Sequence, residues 1–412
     1  MEKLRKNPGK RPSSLISRLK SVLYFASACF TLLAFNIFGV EVLFHRHIQG
    51  RLEQVDAIQE SFLETYLADA EFLANSELAS ESASAFAPKA EQGTVTSLDA
   101  GNSLNPLVYW NPNPLQADHK GRSEPLVTPK SRETIIRLGE DWMNGRSAFE
   151  RGRIQADLDL FKLLHPFRFW DIEHSSPIDY YVSKRKFVLP STLPVPETLD
   201  LISAAKVRLM KGATDGAPHA ALREVRKLSM LLLETENFQL VMSGLTALEL
   251  ERRAYREYVD NGWIQAESWK PINQNTTTRA VRAAQATAGY LRALTRPELL
   301  QQVISKNRLP PAFCAAVNEQ LPLEFAIEDQ LTGLWPWERH YRPGYKQLRE
   351  VAEQAKSVCR IKLFRALDEK RAFYAEDPHA PWPLAKLPYF RTLFALRDWS
   401  GWPTHFEAYQ RR

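Results

Sequence analysis

The 17 residues from His165 to Tyr181 hold five aromatic side chains, two His, two Asp and one Glu. Asp171 orienting His174 would make a general acid–base pair, and His165 and His174 with Asp171 would make a three-ligand metal set. The spacing argues against both. The two histidines are nine positions apart with Pro166 and Pro177 nearby, so no regular helix aligns them. Spacings such as H-E-x-x-H are absent. The same composition suits an aromatic corner between a helix and a loop, anchored by Trp170. His165, Asp171 and His174 are therefore weak catalytic candidates.

Glu324 and Glu328 would share a helix face, with Asp329 beside them and His340 in Glu338-Arg339-His340-Tyr341-Arg342. Carboxylate-bridged metal bundles need two E-x-x-H pairs on facing helices. This chain has one, Glu376 to His379, broken by Pro378. Surface charge, or pairing to arginines, is the simpler reading. Glu249-Leu250-Glu251-Arg252-Arg253 reads as a solvated helix face or an intramolecular ion-pair set. The phosphate-cradling glycine motifs and the G-x-S-x-G nucleophile elbow do not occur. No cofactor or metal is implied, and the balance lies against an enzyme.

Of three cysteines, Cys29 lies in an apolar run, while Cys314 and Cys359 fall in predicted helices. In an exported protein that pair can form a disulfide or stay as two buried thiols; the sequence leaves both open. Tryptophans supply interface anchors in many proteins. Trp110, Trp170, Trp399 and Trp402 are the candidates here, against the commoner fate of core packing.

The charge is unevenly placed. Residues 1–20 carry seven Lys and Arg against Glu2, a net of +6 that equals the total for all 412 residues. The folded part is thus neutral, and nucleic acid is not an expected partner. Residues 21–40 then hold no charge. Twenty residues make about 30 Å of helix, one hydrocarbon thickness. The run exceeds a cleavable signal core, and no small-residue exit follows it. Ala26-Ser27-Ala28 before Cys29 would suit a lipoprotein, but the apolar run continues to Phe44. The expectation is a single-pass signal-anchor in the inner (plasma) membrane. Its N-terminus is cytoplasmic and the main mass periplasmic, or otherwise outside the cytoplasm.

Five regions follow. Residues 1–20 form a basic tail, 21–44 a transmembrane anchor, and 45–80 an acidic amphipathic stalk helix. Residues 81–130 form a flexible linker and 131–412 a helical domain. Residues 52–100 carry ten Asp and Glu against Lys89. The stripe of Leu52, Val55, Ile58, Phe62, Tyr66 and Leu73 predicts a helix. It is short of the heptads a coiled coil needs, though a homodimer through this stalk is an alternative. Within the linker, residues 106–110 form an apolar island expected to dock on the main domain.

Beyond residue 131 the periodicity predicts helices over 131–151, 155–164, 197–211, 217–236, 240–259 and 277–294, with others after 295, 310 and 344. One strand is predicted, 186–190. The fold class is all-α, an irregular helical bundle or α–α array behind the membrane helix. The layout suggests a non-enzymatic scaffold or accessory subunit of a cell-envelope assembly that binds partner proteins. The alternatives are an envelope hydrolase built on His165, Asp171 and His174, and a helical domain that binds an apolar ligand or peptide.

Overall fold

The computed structural model describes residues 13–44, 66–81, 99–111, 124–173, 176–178, 194–292, 313–315, 317, 350, 353–355 and 359. They fall in two compact units, the first holding residues 13–44 and the second the rest. The described residues are mostly helical, with two two-residue strands among them and turns and irregular chain between, so the all-α class stands.

The first unit is one helix, α1, Ser13–Phe44. Pro12 precedes it, where proline costs a helix nothing, and Leu, Ala and Phe fill it. Thr31 donates its hydroxyl to the Ser27 carbonyl at 2.8 Å, satisfying a polar group within the apolar run. Val22, Leu23, Tyr24, Phe25, Phe30, Leu32, Leu33, Phe38 and Val42 are all exposed. Over the described residues no helix is long and apolar enough to cross a membrane. The transmembrane anchor expected over 21–44 therefore gains no support from the fold.

The second unit opens with helical residues 66–74 and α2 (Glu77–Glu81). Then come α3 (Gly101–Leu104), β1 (Trp110–Asn111), α4 (Pro129–Arg137) and a 3-10 helix over Gly139–Gly145. α5 (Arg146–Glu150), α6 (Asp159–Leu163) and β2 (Val195–Pro196) lead into the long helices. Those are α7 (Thr198–Thr214), α8 (Pro218–Leu233), α9 (Phe238–Asp260) and α10 (Gln274–Arg292). The predicted helix over 131–151 is split. Gly139 adopts a left-handed φ of 58°, ending the regular turn, and a 3-10 segment follows.

Local chemistry sets the long helices. The Glu197 carboxylate accepts the Leu199 amide and opens α7; Pro218 is the first residue of α8; Asn237 accepts the Leu240 amide and opens α9. Gly216 and Gly262, at φ 68° and 69°, close the turns after α7 and α9. The three helices pack closely because two glycines allow it. A methyl at Gly212 would sit 2.4 Å from the Ala221 Cβ, and one at Gly244 would sit 2.9 Å from the Ser229 carbonyl. Leu201, Val207, Leu222, Leu232, Leu250 and Tyr258 fill the core between them.

The described parts of the expected linker, 99–111 and 124–130, contribute to this core. Leu104, Val108, Trp110, Leu126 and Val127 are buried. β1 pairs antiparallel with β2, Trp110 opposite Pro196. The Leu126 and Val127 amides donate to the two Asp200 carboxylate oxygens at 2.7 and 2.8 Å. Asp99 bridges to Phe169. The apolar island 106–110 is thus docked in cis. Irregular chain can be buried when its polar groups find fixed partners.

The stalk expectation also changes over residues 66–81. Tyr66, Asp69, Ala70, Leu73 and Leu78 are buried within the second unit, so this stretch is not a solvated helix leading away from it. The predicted strand 186–190 and the predicted helices starting at 310 and 344 lie outside the described residues, apart from scattered positions. Cys314 and Cys359 are joined in a disulfide with Cα atoms 5.4 Å apart.

Candidate functional site

Three polar arrangements in the second unit hold residue types capable of chemistry. The first is the corner around Asn105. Its side-chain N–H donates to the Asp171 carbonyl at 3.0 Å, and its Oδ1 accepts the Trp170 indole N–H at 2.7 Å. The Asn105 carbonyl accepts the Trp110 indole N–H at 2.9 Å. Asp99 Oδ1 accepts the backbone amides of Gly101 and Asp171, both at 2.9 Å. Asp171 Oδ1 in turn accepts the Glu173 amide at 3.0 Å.

This corner holds residues 169–173 of the aromatic segment. The structure places its candidates as follows. His165 is exposed, Asp171 is half-buried with a carboxylate oxygen on its own turn, and His174 lies outside the described residues. Trp110 and Trp170, expected as interface anchors, are fully buried instead. A large ring with one N–H is buried at low cost when that N–H has a fixed acceptor, and Asn105 supplies two. Trp399 and Trp402 lie outside the described residues, as do Glu324, Glu328, Asp329, His340, Glu376 and His379.

The second arrangement joins α8 and α9. Glu251 is fully buried. Arg226 grips it with both arms, Nε to Oε2 at 3.1 Å and Nη2 to Oε1 at 2.6 Å. The Trp269 indole N–H also donates to Glu251 Oε1 at 2.6 Å, while the Arg226 guanidinium lies 4.3 Å from the Trp269 ring centre. Arg226 further donates to the Lys270 carbonyl at 2.7 Å and to Glu81 at 3.3 Å. Burial pushes the Glu251 carboxyl above the usual range, and Arg226 and Trp269 pull it back. With three donors on two oxygens, this carboxylate is a locked ion pair and not a group free to exchange protons with a substrate.

The third is a Ser–His contact. His219 Nε2 lies 2.8 Å from Ser268 Oγ. Ser268 gives its hydroxyl proton to the Gln265 carbonyl at 2.6 Å, so the imidazole must be the donor to Ser268. A serine nucleophile needs the reverse, with its proton on the histidine. The pair ties the start of α8 to the 3-10 turn Ala266–Ser268. No cluster of three metal-ligating side chains forms among the described residues.

No protein-family model matches this chain, and neither a curated protein nor a solved structure matches it. Function must be argued from the chain alone.

The charge run from 249 to 253 by itself suits either a solvated face or an ion-pair set, and the Arg226–Glu251 pair is the second of these. A stronger signal was present. Ala247, Leu250, Ala254 and Tyr258 mark the buried face of α9, and Glu251 falls among them at helical spacing. Leu222, Val225 and Ser229 enclose Arg226 on α8 in the same way. Opposite charges on the apolar faces of adjacent helices predict a buried pair.

Proposed function

We propose that this chain is a membrane-anchored, non-enzymatic scaffold or accessory subunit of a cell-envelope assembly. It uses one helix as anchor and presents its helical domain to partner proteins outside the cytoplasm. The observation that carries this reading is the surface of α1. Nine large apolar side chains on it are exposed. A helix that is apolar all round needs an apolar surrounding, either a protein core or lipid. The absence of charge from 21 to 40 in the sequence favours lipid over a protein core, and the seven basic residues before it favour a cytoplasmic N-terminus. The Cys314–Cys359 disulfide supports a domain held in an oxidising compartment.

The test is fractionation followed by topology mapping. Full-length protein should stay in the membrane pellet through alkaline carbonate washing, and a protease added outside the cytoplasmic membrane should reach the domain but not the N-terminus. In vivo cross-linking should then trap envelope proteins on the domain. Release of the full chain by carbonate would overturn the anchor, and cross-linking that yields no protein partner would overturn the scaffold.

A further inference from the structure

Residues 66–81 meet the rest of the second unit as a ligand meets a receptor. Tyr66, Ala70 and Leu73 are buried at positions i, i+4 and i+7, the anchor spacing of an amphipathic helix laid in a groove. Charge complements the apolar stripe. Asp69, 1% exposed, takes Arg282 through two bonds, Nε to Oδ2 at 2.7 Å and Nη2 to Oδ1 at 2.5 Å. Arg279 reaches the same carboxylate at 3.4 Å and covers the Phe72 ring at 4.2 Å. Further along, Glu77 accepts the Asn273 amide at 3.3 Å and Glu81 meets Arg226 at 3.3 Å. Every one of these receptor groups is on α8 or α10, or on the approach to α10.

The chain between this segment and the core resumes at Asp99, after residues 82–98, which are rich in Ser, Ala and Thr. The acidic segment is therefore joined to its receptor by a spacer, and spacer length sets a finite effective concentration for the docked state.

We propose that residues 66–81 are a built-in occupant of a protein-docking face. Arg226 on α8, Arg279 and Arg282 on α10 and the Asn273 amide just before α10 accept an acidic amphipathic helix, and a partner protein carrying such a helix docks there by displacing the segment. Its acids would repeat the Asp69 and Glu77 positions, eight residues apart, along an apolar stripe. The proposal does not depend on α1 lying in a membrane, so the two readings fail separately.

The test uses the full-length protein in detergent with a protease recognition sequence inserted after Gly93. The probe is a fluorescent peptide of residues 62–84, its binding read by anisotropy and the fold by circular dichroism. Before cutting, the cis segment should hold the peptide off. After cutting, the peptide should bind at least about tenfold more tightly, displacing the N-terminal fragment while the helical signal of the remainder persists. A peptide with Asp69→Arg should lose that binding, and the Arg279→Asp, Arg282→Asp protein should recover it. Fragments that separate only when the whole helical signal collapses would overturn the proposal, making the segment integral core. Equal peptide binding to cut and uncut protein would also overturn it.

Discussion

Asn105 Oδ1 accepts the Trp170 indole N–H at 2.7 Å across 65 positions of sequence, with both residues buried. Through this bond a short irregular stretch holds the aromatic segment that follows α6. Replacing Asn105 by Ala strands the Trp170 N–H, the Asp171 carbonyl loses its donor, and the side-chain volume is lost. A destabilisation of about 2–4 kcal/mol is expected, read from urea unfolding. Asn105→Asp should also be costly, because it removes the donor to the Asp171 carbonyl and introduces a charge.

At Gly244 the crossing of α8 and α9 admits no side chain. Gly244→Ala places a methyl against the Ser229 carbonyl and the Leu232 Cβ, so the helices must separate. Despite the better helix propensity of alanine, a net loss of about 1–3 kcal/mol is expected, seen as a lower midpoint in thermal circular dichroism. Gly262→Ala, where only the left-handed φ is at stake, should cost about 1 kcal/mol.

Arg226 and Glu251 form a pair whose halves are worth more together than apart. Arg226→Met leaves a buried carboxylate without its cation and should cost about 3–5 kcal/mol. The double change Arg226→Met, Glu251→Leu should cost much less than the sum of the single changes. A double-mutant cycle in denaturant unfolding measures that coupling. Additive single effects would show that the pair is not coupled.

Asp200 gives a pH signature. Burial raises its pKa, opposed by the amides of Val127 and Leu126. A carboxyl whose folded pKa is raised contributes stability that is fully present below its unfolded value, about 3.9, and is lost as pH rises through the folded value. Asp200→Asn cannot titrate. Its penalty relative to the parent should be largest near pH 3.5 and shrink toward pH 7, compared by unfolding both proteins at each pH.

The helical periodicities around residues 197–294 place α7 to α10 within a few residues, and α7 to α9 each have a continuous buried stripe and a chemical start signal. Glycine was the ambiguous letter. The helix predicted over 197–211 stops short of Gly212, yet Gly212 lies inside α7, where its missing side chain admits Ala221 and the Tyr258 hydroxyl. Gly139 was read as helix interior and breaks one. Sequence alone does not show whether a glycine serves φ or close approach. The linker and stalk were misjudged for a related reason. Low apolar content suggests solvent, but Asp69, Asp99, Asn105 and Asp200 are polar residues spent on specific interior bonds, and their partners lie 65 or more positions away. As for the site, the Arg226–Glu251 pair is visible in the sequence only as charge on an apolar face.

The return of residues 66–81 and of the stretch from Asp99 onward to the same body makes the chain between them a closed loop. Closing a loop costs free energy that rises only with the logarithm of its length, about 0.6 kcal/mol per doubling. The stretch 82–98 is therefore one place where this protein can change size cheaply. Relatives of this chain should differ in length there before they differ anywhere in α7 to α9, and a tag or a whole domain could be inserted there with the helical core intact.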